Sequence, residues 1–569
     1  MFTAPIYRAA LTAVATVSAL ACAAVAQESQ PTVRTQPSSA YAGSSTTGLG
    51  SDGISATDDV REQLDRQEIE LRRLRRELEE LRAGNLPTAA SYTSADKTSS
   101  VAGASGSYDN KESLPSPGKS NADAQSPADD GRPVFGPAYE VGSDKALSSS
   151  WNNGFEAKSK NGDFRYRAGG LLQFDSSFLN TDPDLLRPPA AGGIGSNPDS
   201  LQIRRARITL EGTAYEVFDF KFEWDFANFV APAAASAGQP VVSTPGLTEM
   251  WGQWTQLPVL GIIRVGNQKE PLGLEHVEPI KYLSFIEPSY LFDMVFGPFN
   301  LGFTPGIQVM NWSEDQSTTW QYGVFGNDSD GFGYSINNDW AITGRATHLL
   351  WYDEPSNGRY LWEVGTSGSI RTPDEGAVRL RTRGDIRSGP PGVLNPIYAD
   401  TGGLLSDQQD VVAFETFAQA GPWSLQGEYA GTWVQDAVQP AGVDHGTPFF
   451  HGGYVELLYF LTGDCRNFNK QFAVPDRTVP LENAFLVETA NGYSSGRGAW
   501  QLGIRYSGID LNDNGINGGI LNSGTLGLNW FPNPNTIIQF NYDLTHRSQV
   551  SGTPDGFING FGARMAYNF

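Results

Sequence analysis

Residues 557–569 alternate in character from one position to the next. Phe557, Phe561, Ala563, Met565, Tyr567 and Phe569 share one parity, with Asn559 the single polar member of that row. Gly560, Gly562, Arg564 and Asn568 occupy the other row. Side chains alternate across a strand, so one face is apolar and aromatic while the other is small and polar. The same period recurs upstream. DFRYRAGGLLQFDSSF puts Phe164, Tyr166, Leu172, Phe174 and Phe178 on one face. RRARITLEGTA sets Ala206, Ile208, Leu210 and Gly212 against Arg205, Arg207, Thr209 and Glu211. FDFKFEWDF sets Phe218, Phe220, Phe222, Trp224 and Phe226 against Asp219, Lys221, Glu223 and Asp225. A short turn near Glu216-Val217 joins the last two segments into a hairpin.

A charged row cannot face lipid, and a row of five aromatics cannot face water. A barrel with lipid outside and water inside satisfies both rows. Similar segments run through residues 305–370, 410–434, 449–461 and 498–545. About 26 residues per strand and connection, over about 420 residues, predict an all-β transmembrane antiparallel barrel of about 16 strands, numbered evenly. Such a barrel is expected to leave a water-filled lumen. The amphipathic strand that ends on Phe569 is expected to close it, with Phe569, Tyr567 and Phe561 as the residues of membrane assembly facing outer-membrane lipid.

The N-terminal part has a different rhythm. Tyr7-Arg8, the apolar run Ala9 to Ala26 and the sequence Ala24-Val25-Ala26 before Gln27 read as an export signal over residues 1–26. A lipoprotein reading would use Cys22, but Ala19-Leu20-Ala21 matches a lipobox poorly. Residues 27–56 are rich in Ser, Thr, Gly and Gln and read as a disordered lead. Val60, Leu64, Gln67, Leu71, Leu74, Leu78 and Leu81 then alternate spacings of four and three, an a/d seam in a charged helix over 57–84. Gly84 and Pro87 end it. A short coiled coil and a solitary charged helix both fit; three heptads, unbroken except at Gln67, favour the coiled coil, which would sit in the periplasm with contact to periplasmic or cell-wall partners. Residues 85–150 read as a flexible linker, and 151–569 as the barrel.

Composition narrows the class further. With 39% hydrophobic residues and a mean hydropathy of -0.33, a helical membrane protein is excluded. A barrel is not, because its strands bury only alternate residues in lipid. Of two cysteines, Cys22 would leave with the signal, so Cys465 has no intramolecular disulfide partner. A net charge of -23 argues against nucleic acid as a partner. It says little about a pore, where charges act locally.

Several segments together resemble the phosphate-selective porins of the O and P type over most of residues 160–569. They are RRARITLEGTAYEVFDFKFEWDFA; RVGNQKEPLGLE followed by KYLSFIEPSY; VRLRTRGDIRSG followed by IYADTG; and RYSGIDLNDNGINGGILNSGTLGLNWFPNP. The resemblance implies a sixteen-stranded outer-membrane barrel, a homotrimer, lumen arginines that attract anions, and a loop folded inward at the constriction. The helical seam and the long linker lie outside that pattern.

Arg379, Arg381 and Arg383 alternate within VRLRTRG. On a strand their guanidiniums would share one face about 7 Å apart, each able to bind an oxyanion through two hydrogen bonds. A wall of arginines paired with lumen carboxylates is the alternative. Arg205 with Arg207, and Arg165 with Arg167, form shorter rows of the same kind. Residues 268–290 break the strand rhythm with three prolines and carry Lys269 and Lys281. They read either as an inward-folded constriction, with both lysines beside it, or as an external loop.

Gly492-Tyr-Ser494-Ser-Gly496 fits G-x-S-x-G, and His451-Gly-Gly resembles part of an oxyanion loop. No helical pattern follows Ser494, as a nucleophile elbow needs. Asp510-x-Asn512-x-Asn514-Gly515 copies half a calcium loop, but the twelfth position is Leu521. No enzyme, cofactor or metal is expected. Three readings remain: a channel for small anions, phosphate among them; a general diffusion porin; and a structural protein tethering membrane to cell wall.

Overall fold

The computed structural model describes residues 139–227, 246–296, 302–326, 339–373, 376–389, 395–489, 492–550, 552–553 and 555–569. The expected signal segment, the lead, the helical seam from Val60 to Leu81 and most of the linker lie outside the described residues.

Sixteen strands, from Phe164–Thr181 to Gly556–Asn568, run antiparallel, each beside the next. The last returns to the first in the register Ile558↔Thr181 to Asn568↔Leu171, so the sheet closes. Closure leaves no unpaired edge in the hydrocarbon layer. Leu172, Phe174 and Phe178 point outward and are exposed, while Gln173, Asp175 and Ser177 between them are buried on the inner side. The same holds in the closing strand, where Phe557, Met565 and Tyr567 face out and Arg564 faces in. Phe561 stacks between Phe178 and Phe540 on that outer face.

One end of the barrel carries mostly short turns. Tyr215 and Glu216 make the expected hairpin with φ of 53° and 62°, the left-handed conformation such a turn requires. Longer connections gather at the other end, which is the outer side in barrels of this kind. The Asn514-Gly515 pair is a turn as well, with φ of 48° and 84°; it explains the half-calcium-loop sequence. Gly492–Gly496 is a strand of a hairpin with Phe485–Thr489, and His451 lies within the barrel strand Phe449–Phe460.

Structure begins before residue 151. Leu147–Trp151 pairs with Phe155–Ser159, which pairs with the first barrel strand from Arg165 to Ala168. The closing strand takes that same edge from Leu171 onward. Phe569 sits at the junction: its N–H donates to Gly170 at 3.0 Å and its carbonyl accepts from Gly170 at 2.7 Å. A Cβ at Gly169 would stand 2.3 Å from the Phe569 carbonyl oxygen. Gly169→Val should therefore displace Phe569 and cost about 1–3 kcal/mol, as overpacking does. The folded band on a gel should be lost at a lower temperature; an unchanged transition would show that this junction contributes nothing.

Inserted segments fill part of the lumen. Residues 269–296 and 376–407 enter from the outer end, and 461–484 enter from the short-turn end. Tyr290, Leu291, Met294, Leu380, Tyr398 and Leu404 bury one another there against inward residues of the wall. A second cluster joins Leu274, Phe417 and Val474. These segments carry too many large apolar residues to lie in water, and the lumen is where they are covered.

Candidate functional site: a charged passage along the barrel wall

Residues 268–290 lie inside the barrel. Ser367 Oγ accepts from Gly273 N–H at 2.9 Å, and the Glu428 carboxylate accepts from the N–H groups of Leu274 and Glu275. Further along, Tyr290 N–H donates to Ser507 Oγ, and Ser284 O accepts from Asn529. Glu278 forms a buried ion pair with Arg466, which belongs to the segment entering from the opposite end. The inserted segment is thus held by side chains from several strands and by one from the opposite end.

A cavity of about 260 Å³ lies against the first strands. Its lining holds nine basic side chains and six carboxylates, so it carries an excess of positive charge. Glu287 is the hub. Arg204 grips it with Nε at 2.8 Å and Nη2 at 3.1 Å. Arg564 reaches it at 3.1 Å, Arg387 at 3.5 Å and Arg205 at 3.9 Å. Nearby, Arg383 bonds both oxygens of Asp293, and Arg387 reaches the same carboxylate at 3.0 Å. Burial would raise these carboxyl pKa values, but the arginines outweigh it: Asp293 is held at about 2 and Glu287 well below the usual range. Both are anions at any working pH.

Arg204 was not among the residues expected in the pore, because strict alternation places it outside. The pairing shifts between Gln173↔Arg205 and Phe174↔Ile203, so Arg204 is an extra, bulged residue. The bulge turns two consecutive arginines inward. The doublet itself was the signal: a lipid-facing arginine would cost about 2–4 kcal/mol at mid-bilayer.

The other expected residues are placed as follows. Arg207 lines the cavity, paired with Glu223 and Asp225 at 2.9 Å each. Arg167 lines it near the short-turn end, with Glu211 at 2.7 Å. Arg165 pairs with Glu156 at 2.9 Å and does not line it. Lys269 and Lys281 both line it. Lys269 donates to the carbonyls of His276 and Glu278, and burial pulls its ammonium down to about 8. Lys281 lies 5.0 Å from the Tyr282 ring centre and has no ion pair among the described residues.

Arg379, Arg381 and Arg383 are carried by the inward-folded segment, not by a barrel strand. Only Arg381–Arg383 is a strand, paired with Ile397–Asp400. Arg379 is bound by Asp400 at 2.9 Å and lines a second pocket at the outer end. Arg383 lines the inner cavity. Arg381 lies between them in sequence, is exposed, and has no ion pair among the described residues. The row therefore reaches from one cavity to the other.

A family model described as phosphate-selective porin O and P matches residues 184–569. The chain is 25% identical over 424 residues to an uncharacterized protein of Caulobacter vibrioides, covering 72% of this chain and 75% of that one. It is 23% identical over 444 residues to Porin O of Pseudomonas aeruginosa, covering 73% and 91%. Among solved structures it is similar to the outer membrane channel DcaP of Acinetobacter baumannii, at 13% identity with a TM-score of 0.40, covering 72% and 99%.

Proposed function

This chain belongs to the family of phosphate-selective porins O and P, and we propose that its passage conducts small anions, phosphate among them, across the outer membrane by passive diffusion. The observation that carries the reading is the surplus of guanidinium groups around Glu287 and Asp293, continued outward by Arg381 and Arg379. An anion entering from outside meets fixed positive charge along the whole row. Each guanidinium offers paired N–H donors suited to an oxyanion and stays charged at any working pH. Because all of them but Arg381 are already satisfied in part by a carboxylate, an anion would be held weakly and could leave again, as conduction needs.

A general diffusion porin is the second reading, and the same carboxylates favour it. Glu211, Glu223, Asp225 and Glu249 line the cavity beside the arginines and give a cation a path as well. Phosphate separates the two. Added in millimolar amounts to a bilayer carrying the channel in dilute KCl, it should reduce the chloride current in a saturable way. A current that phosphate leaves untouched would favour the general porin. Association as a homotrimer, and contact with the cell wall through the helical seam, remain part of the proposal.

A further inference from the structure

We propose that the outer mouth holds a separate site for an organic anion, built around Arg547. The idea rests on the channel reading for how a solute arrives, yet binding at the site is measurable without any current. Arg547 is only 4% exposed. Its Nε donates to the Tyr398 carbonyl at 2.6 Å, and its Nη2 donates to the Gly192 carbonyl at 2.9 Å. Its Nη1 is buried and has no hydrogen-bond partner among the described residues. No carboxylate pairs with it among them. Every other arginine named in the inner cavity has a carboxylate; this one has only two carbonyls.

A buried cation without a counter-charge is costly, and so is a buried N–H group left unbonded. Two carbonyls from two different segments fix the guanidinium plane, and Arg547 lines the pocket where Arg379 also stands. That pocket measures about 500 Å³. An oxyanionic head seated there would complete the donors of Arg547 and draw on Arg379, which Asp400 holds only in part.

The size of the space decides the class of ligand. Pockets for small organic molecules span about 300–1,000 Å³. A lone inorganic anion would leave most of this one filled with water. Pro189, Ile194, Pro396 and Val550 supply apolar wall, and Tyr398 and Asn395 polar wall. The site thus fits one oxyanionic head, phosphate monoester or carboxylate, on a sugar-sized body.

The test is equilibrium titration calorimetry on the full chain in detergent micelles, with glucose 6-phosphate, gluconate and inorganic phosphate as probes. At least one organic anion should bind tenfold or more tighter than inorganic phosphate, and the two organic arms identify the head group. Arg547→Gln should weaken that organic anion at least tenfold. Asp400→Asn, which frees Arg379, should strengthen it about threefold, a gain that misfolding cannot produce. Inorganic phosphate binding as tightly as both organic anions, no binding of any probe, or an Arg547→Gln chain that stays folded with unchanged affinity would each overturn the inference. If Arg547→Gln does not fold, absence of any gain in Asp400→Asn overturns it. A protein that binds organic anions but carries no current would instead refute the channel reading and leave this site standing.

Discussion

Replacing Glu287 by Gln is expected to make the channel hold phosphate on the order of tenfold more tightly, about 1.4 kcal/mol. The substitution removes one negative charge and keeps nearly the same volume. Arg204, Arg205, Arg387 and Arg564 all lie within ion-pair reach of that carboxylate. Once it is neutral, Asp175 and Asp293 are the carboxylates left in ion-pair contact with these arginines and Arg383 among the described residues. Two unit charges 4 Å apart interact by about 4 kcal/mol at an effective dielectric of 20. Water in the adjoining cavity and salt reduce this, which is why a smaller gain is expected. The barrel should be less heat-stable, because breaking a buried pair costs up to about 3–5 kcal/mol. Tighter phosphate block of the chloride current, with the folded band lost at lower temperature, is the expected pair of results. Unchanged block in a folded variant would mean that the Glu287 cluster does not meet the permeating ion.

Replacing Arg379, Arg381 and Arg383 together by Ala should reduce anion preference, and most strongly in dilute salt. The Debye length is about 30 Å at 0.01 M and about 3 Å at 1 M, so an attractive row is felt along the passage only when salt is low. Arg381 contributes most to the expected change, since Arg379 and Arg383 are each offset by a carboxylate. The barrel should still form, because none of the three faces lipid. The reversal potential of the triple variant in a dilute KCl gradient checks this. A value equal to the wild-type value would remove the row from the selectivity mechanism.

The architecture was largely legible from the two-residue period. Phe174 and Phe178 could only face lipid, Asp175 and Ser177 only the inside, and the chain length then set the strand number. The site was legible in part. Arg205 and Arg207 were found by their parity, but Arg204 was hidden because a bulge breaks the very rule used to find them. Alternation puts Arg379, Arg381 and Arg383 on one strand face but looks the same on a barrel strand and on a three-residue strand of an inserted segment, so it does not tell which element carries the row. Packing inside the lumen was the least visible. Tyr290, Leu291 and Met294 look like ordinary loop residues until the wall that covers them is in place. Nor does alternation tell which end an insertion enters from, so the path of residues 461–484 and the Arg466–Glu278 ion pair had no local signature.

The central claim, that fixed positive charge selects anions along this passage, is tested most directly by the reversal potential of the wild-type channel in a tenfold KCl gradient at low salt. The structure predicts a potential of the sign set by chloride, approaching but not reaching the roughly 59 mV of a perfectly selective pore for one charge per ion, and shrinking as both solutions are made more concentrated. A potential near zero at low salt, or one of the sign set by potassium, would contradict it.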